Sequence, residues 1–555
     1  MSPLLRTPRS VTSPLAADEP TARVRAHLHE ARSATREEKR RSLAFTLYGI
    51  ALVGAFWGIP GLLAAARAGH SGQRPSAAMT DVVTSLPVTF PVVLLLVLLG
   101  MARAAVWRGP VLVDQPTVSW LLRTPVRRGP LLLPRLAASA GTTAAVGLAL
   151  GAATGFLLYG SGPHPWPAAT LAGAWAGVAA GVMTSAVGVC VERYDRHVLR
   201  HGARLFALAW TALAVVVAVA ALAVSRGTPA WSAGLFLWSG PWGWSAQPLV
   251  AAMGGPAPWW GLGAALSVAS LAALALLAVR ETPLIPVGAL RRRATVASAV
   301  ATSLVMLDLR QARAGLPSLQ ESRSRPAVRL PPPRHPRLLV PWRDATALLR
   351  ATGRLGWAAV WTTTAVALTV TAPQVREDAR ELVCVVAFVA QYLAAAQLTE
   401  PARLESDDVR RSAGLPWTAR QLALWHALVP AVLLCAGLGI GAAVCASAGV
   451  ARPGLAVLVG AVPAFVAAAL VSSYRGVIPA HILVGTQTPM GSTAPVQTFV
   501  WYLRGPLAAL IVTVPVLVSV VHDGTYSPLR LVVQLAAGAG GLWWAGRTAH
   551  RLLRG

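Results

Sequence analysis

The 555-residue chain is 55% hydrophobic and only 13% charged, about half the charged share of a soluble domain, and this excludes a soluble globular protein. Its net charge of +28 follows from arginines gathered at the ends of apolar runs. That pattern sets membrane topology and attracts anionic lipid headgroups, so membrane lipids are expected partners and nucleic acid is not.

Residues 1–42 form a polar, basic tail. Within it "TARVRAHLHEARSATREEKRR" carries Val24, Leu28 and Ala31 as a thin apolar stripe. It fits either an interfacial elbow helix or a basic tail without one. No short apolar core with a cleavage site stands at the N-terminus, so insertion is expected to rely on the first span. Runs of about twenty apolar residues, long enough to cross a bilayer, follow at 43–66, 84–106, 136–160, 166–190, 205–225 and 257–279. A second set lies at 355–373, 380–398, 425–449, 453–474, 499–521 and 527–547. The expectation is an all-α polytopic membrane protein of about twelve transmembrane helices in two six-helix repeats, at 43–280 and 355–555. Between them, 281–354 is an Arg/Pro-rich linker, with "TVASAVATSLVML" (295–307) too short to span and expected as an interfacial or packed helix. Near its end, "PWRDATALLRATGR" places Trp342, Ala345, Thr346 and Leu349 on one face and Arg343, Arg350 and Arg354 on the next, as in a second elbow helix.

Arg67, Arg74, Arg226, Arg376, Arg380, Arg452 and Arg530 lie on one side of this layout, and Arg504 just inside a span. The rest of the 49 Lys and Arg lie on the other. That side is expected to be cytoplasmic, with both termini there. The protein is then a multi-pass protein of the cytoplasmic membrane.

The loops after spans 2 and 8 align without a gap, "PVLVDQPTVSWLLRTPVRRGPLL" over "PARLESDDVRRSAGLPWTARQLA", pairing Pro110 with Pro401, Val118 with Val409 and Pro125 with Pro416. Equivalent placement in both halves points to duplication, common in transporters. A proline-stopped basic segment suits either a rigid contact element or a topological anchor.

The layout resembles the permease subunits of ABC-type exporters, whose membrane domains have six helices per half, an elbow helix before the first span and a cytoplasmic coupling helix between spans 2 and 3. The resemblance implies that Asp114, Leu121, Leu122, Thr124, Pro125, Arg127, Arg128, Leu131 and Leu132 form one coupling segment. Glu405, Asp407, Asp408, Leu415, Pro416, Thr418, Arg420 and Leu422 would form the other. Asp114 stands alone where the family has more carboxylates, which implies a weaker first contact. It further implies a separate ATP-hydrolysing subunit as partner, since no GxxxxGK[ST] loop occurs and the one lysine is Lys39. "GTQTPMG" (485–491) reads as an ordinary loop. The substrate would be a small hydrophobic or amphipathic molecule.

Between spans 5 and 6, Trp231, Trp238, Trp242 and Trp244 sit in an apolar stretch broken by Gly and Pro. It is expected either as an outer lid of re-entrant helices or as tryptophans at the headgroups. Glycines in "GLALGAATG" and "GLGIGAAVC" would line a path between the halves or serve as packing seams. Every Asp and Glu falls in a tail, loop or span end, which disfavours an ion-coupled carrier. His164, His197, His201, His426 and His481 read as surface residues, and Cys190, Cys384, Cys435 and Cys445 as packing thiols. No paired carboxylates, metal motif or nucleophile elbow appears, so neither a cofactor, a metal nor an enzymatic activity is expected. Two alternatives stay open: a non-energised membrane interaction protein and an ion-coupled secondary transporter.

Overall fold

The computed structural model describes the chain outside residues 1–76, 125, 160–165, 306–329, 376, 408–415, 477, 480–481, 483–485, 489–490 and 555. The first expected span, 43–66, and the N-terminal elbow lie outside the described residues.

In the first half, α1 (Ala77–Ala105) leads through a short α2 (Gln115–Ser119) and a 3-10 turn (Leu121–Arg123) into α3 (Gly129–Tyr159). Then come α4 (Trp166–Arg193), α5 (Asp195–Ser225), the short α6 (Ala230–Leu237) and α7 (Pro241–Ala252), α8 (Trp260–Glu281) and α9 (Val287–Val305). The second half has α10 (Leu339–Arg350), α11 (Thr352–Thr371), α12 (Glu377–Leu398), the short α13 (Glu400–Asp407) and α14 (Ala419–Ser447). It ends with α15 (Gly454–Gly460), α16 (Val462–Ser473), α17 (Ala494–Asp523) and α18 (Pro528–Arg554). Apart from a two-residue ladder between Gln487–Thr488 and Gly491–Ser492, the described structure is helical. It is an all-α polytopic membrane protein.

Among the described residues, nine helices are long and apolar enough to cross a membrane, and α15 with α16 makes a tenth bent by 47°. The bend has a local cause: Pro463, in the first turn of α16, has no N–H to continue the hydrogen bonding from α15. The ten cover the second to eleventh expected spans. The twelfth, α18, is a 27-residue helix packed on α14 and α16. It is less apolar than the others, with Arg530, Arg547 and Arg551 near its ends, and it falls short of that test.

Neighbour relations recur between the halves. α4 touches α1, α3 and α8 while α1 touches α5; likewise α16 touches α12, α14 and α18 while α12 touches α17. The fourth membrane helix is therefore central in each half, and α16 is buried along nearly its whole length. The halves meet along α5 and α11. Trp210 of α5 stacks 4.0 Å from Trp357 of α11, which lies 5.1 Å from Trp361.

The glycine runs are packing seams within halves. Gly147, Gly151 and Gly155 of α3 meet the backbone of α4 at Gly177, Gly173 and Ala169, while Gly437 and Gly441 of α14 face Thr362 and Val366 of α11. The expected alternative of a path between halves does not hold for the first run, which faces its own half.

Candidate functional site

The loop between α1 and α3 folds back as a compact projection. Val118 of α2 and Leu122 of the 3-10 turn are buried, joined in one core by Val111, Leu131, Leu132, Ile285, Ala289 and Leu290. The projection thus rests on α3 and α9. Arg135 of α3 donates to Thr117 Oγ1 at 3.5 Å, and Ser298 of α9 to Gln115 Oε1 at 3.4 Å. Of the expected packed helix at 295–307, residues 295–305 are the later part of α9, which supports this loop. With Val118 and Leu122 turned inward, Trp120 points out and is 78% exposed. Asp114, Thr124 and Arg127 are exposed beside it, and Leu121 and Arg128 are half-buried. Pro125 lies outside the described residues.

A charged cluster clamps the neighbouring helix ends. Asp195 at the start of α5 pairs with Arg292 and, at 3.2 Å, with Arg293, both on α9. Arg293 also donates to the Ala105 carbonyl of α1 at 3.2 Å. Glu192 is fully buried within electrostatic reach of Arg293, with its carboxylate against Gly109. At the ends of α4 and α8, Arg193 donates to Glu281 at 3.0 Å.

The second loop is built differently. α13 is bolted down on every side: Glu400 accepts from Arg354 of α11 at 2.7 Å and from Arg403 at 3.0 Å, and Ser406 donates to the Ser473 carbonyl of α16 at 3.0 Å. Glu405 points inward, where its carboxylate meets Arg343 of α10 and, at 3.2 Å, Nε2 of His426 on α14. His426 Nδ1 lies 2.6 Å from Asp344 Oδ2 of α10. His426 is 1% exposed. Burial pushes Asp344 above the usual carboxylate range despite the histidine. At Glu405 burial also pushes upward, but hydrogen bonds and charges from His426 and Arg343 outweigh it and hold the group below its ordinary value.

One expectation is corrected here. His426 is not a surface residue, because two carboxylates and an apolar helix face enclose it. On α10, Val340, Pro341, Asp344, Thr346 and Leu348 are buried, while of the expected stripe Trp342 and Ala345 are half-buried and Leu349 is exposed. Asp344 is drawn inward by its histidine partner. Of the remaining expected residues, Asp407, Pro416 and Arg420 are exposed, with the Arg420 stem against Gly546 of α18. Asp408 lies outside the described residues. The Pro110-to-Pro401 alignment lays α13 over the extended stretch before α2, so the two loops share a position and not a conformation.

On the opposite side, the Trp-rich stretch forms α6 and α7, each too short to span. Gly240, with φ of 142°, makes the turn between them. They pack on α1, and α7 also on α4 and α8, through Leu86, Leu94, Ala169, Leu249 and Val250. Trp242 donates to Ser239 Oγ at 2.8 Å, Trp244 is half-buried, and Trp238 is 40% exposed. The second half has only a short turn through Gly524 at this position.

No known family matches. Comparison with curated proteins and with solved structures likewise finds nothing similar to this chain. Among the described residues no group of three or more His, Cys, Asp or Glu could hold a metal.

Proposed function

We propose that this chain is the membrane permease subunit of an ATP-driven exporter, moving a hydrophobic or amphipathic substrate across the cytoplasmic membrane with a separate ATPase subunit. The observation that carries this reading is the projection between α1 and α3. It is an element anchored by Val118 and Leu122 and presenting an exposed Trp120, with Asp114 and Arg127 also exposed on the same loop. Force from a soluble motor needs such a fixed protrusion, and tryptophan is enriched among the residues that dominate interface energetics. The arginine asymmetry supports a cytoplasmic position for this end and both termini, with α6 and α7 outside as a one-sided cover.

The test is co-purification with an ATPase, followed by substrate-stimulated ATP hydrolysis in vesicles containing both subunits. Trp120→Ala is expected to weaken association by about 2 kcal/mol, the usual threshold for a tryptophan anchor. Arg127→Glu with Arg128→Glu should also weaken it, and the paired Gln variant controls for topology. A wild-type chain that binds no ATPase, or variants that keep full binding and stimulation, would defeat the proposal.

The buried Asp344, Glu405 and His426 favour a second reading, an ion-coupled carrier, because such groups mark ion pathways in membrane proteins. Proton uptake by vesicles containing this chain alone, driven by a substrate gradient without ATP, would support it.

A further inference from the structure

We infer that His426 is the positioning residue that locks the second loop helix, α13, to the membrane helix α14 and to the elbow helix α10, and that this lock holds only while two protons are shared among Asp344, His426 and Glu405. The inference deepens the exporter reading and rests on it for its consequence in transport, but the lock itself can be tested without a motor.

The proton requirement follows from geometry. Nδ1 faces a carboxylate oxygen of Asp344 at 2.6 Å and Nε2 faces one of Glu405 at 3.2 Å. A neutral imidazole has one donor and an ionised carboxylate has none. With a single proton in the set, one contact would set lone pair against lone pair. With two, both contacts are hydrogen bonds, either as an imidazolium between carboxylates or with one proton resting on Asp344.

The groups facing the cluster from each element are few. α10 contributes Arg343 and Asp344, α13 Glu405, α14 His426, and Tyr474, just past α16, lies within electrostatic reach of both carboxylates. Arg343 on Glu405 makes the balance two cations to two anions when His426 is charged. All three central residues are nearly inaccessible to water, so losing the second proton leaves an uncompensated buried charge that solvent cannot screen. The Asp344 Oδ1, Glu405 Oε1 and Tyr474 hydroxyl atoms are also buried, with no hydrogen-bond partner among the described residues. The two carboxylate oxygens are surplus acceptors, and the Tyr474 hydroxyl, the spare donor nearby, makes no hydrogen bond to them, so it does not stand in for a lost proton.

The position gives the lock its consequence. His426 lies in the second turn of α14, the helix that runs on across the membrane, while Glu405 belongs to the short helix before it. A displacement of α13 must either carry α14 and α10 along or break this cluster. Salt bridges from Glu400 and the hydrogen bond from Ser406 tie α13 to α11 and α16, while Glu405 ties it to α14 and α10 through charge.

The experiment uses the full chain with its four cysteines replaced by serine and spin labels at Leu404→Cys on α13 and Leu424→Cys on α14, both exposed positions. Pulsed distance measurement in lipid nanodiscs should give one narrow distribution near neutral pH and a broad one once alkaline pH removes the second proton. His426→Phe should be broad at every pH. The combined Asp344→Asn, His426→Gln and Glu405→Gln variant keeps amide donors and acceptors and cannot lose a proton, so it should stay narrow and insensitive to pH. A narrow, pH-independent distribution for His426→Phe would overturn the inference, as would a pH response in the triple amide variant. With the ATPase present, His426→Gln should keep association while substrate stimulation falls to the basal rate. A purely structural role would lower both together. A wild-type chain that binds no ATPase but shows the expected distances defeats the exporter reading and leaves the lock standing.

Discussion

The seam between α3 and α4 offers the most quantitative test of the packing. An ideal Cβ on Gly151 would lie 2.2 Å from the Gly173 carbonyl oxygen and 3.1 Å from Gly177 Cα, and one on Gly177 would lie 1.9 Å from the Gly147 oxygen. Real Cβ atoms keep at least 3.0 Å from such neighbours, so Gly151→Ala must open the seam by at least 3.0 minus 2.2, about 0.8 Å. Both sides are backbone, and no flexible side chain can yield. A gap of that size forfeits roughly a quarter to a half of each dispersion contact it spans, and overpacking costs about 1–3 kcal/mol. Because α3 leans chiefly on α4 and little of it is buried elsewhere, no other contact takes up the loss. Alanine's helix propensity opposes it by up to about 1 kcal/mol in water, and a lipid-embedded helix gains less. Gly141→Ala is the control, since it lies on the same helix with nothing within 4 Å. Stability measured in bicelles by steric trapping should fall by about 1–3 kcal/mol for Gly151→Ala and stay unchanged or rise for Gly141→Ala. Equal stability of the two variants would refute the reading of this run as a close-contact seam.

Glu405→Gln is expected to destabilise the second half more than Asp344→Asn, because the ionised form is net favoured at Glu405 and net costly at Asp344. We expect a loss of about 2–3 kcal/mol at Glu405, somewhat below the usual cost of breaking a buried pair because Arg343 is 37% exposed; equal costs at the two positions would contradict this. Stability against pH should show both signs. Asp344, raised above 3.8, adds stability as pH falls towards that value, and Glu405, lowered from 4.5, loses its contribution as pH falls below its own range. The free energy of unfolding, measured as pH is lowered through the mildly acid range, should therefore rise and then drop, with Asp344→Asn abolishing the rise and Glu405→Gln the drop. For topology, a single cysteine at Ser239, beside α7, should react with an impermeant thiol reagent on intact cells, whereas one at Ser322 should react only after permeabilisation. Labelling of Ser322 from outside would overturn the arginine-based orientation.

Much of the architecture was legible because apolar run length is a strong signal, and the ten membrane-crossing helices between α1 and α17 fall where runs of about twenty residues place them. Arg135 and His426 show where legibility ended. Both sit early in the third membrane helix of their halves and both reach the preceding loop, yet they differ in chemistry, so no motif joins them. His426 read as a surface residue because its partners are remote in sequence: Asp344 is 82 residues away and Glu405 21. Glu405 itself was singled out by the family resemblance, but a one-dimensional pattern does not say whether a carboxylate faces out or in. Trp120 stood within the quoted segment without being chosen, since only the burial of Val118 and Leu122 shows which way it points.

The two loops differ in a way that constrains any account of coupling. In the first, the apolar residues turn inward and leave Trp120 as a protruding tip, with the charged clamp of Asp195, Arg292 and Arg293 set behind it on α5 and α9. In the second, the loop helix turns Glu400 and Glu405 inward, and the charged contacts are the clamp. An element that spends its charges internally has fewer to offer a partner. On the exporter reading, the first loop therefore contributes more of the affinity for an ATPase and the second more of the mechanical transmission. This reverses the order expected from the lone Asp114, where fewer carboxylates implied the weaker contact. Comparing Trp120→Ala with His426→Gln in the reconstituted complex separates the two roles. Loss of binding should belong to the first variant and loss of stimulation at full binding to the second, and the same phenotype from both would show that the loops do not divide the work.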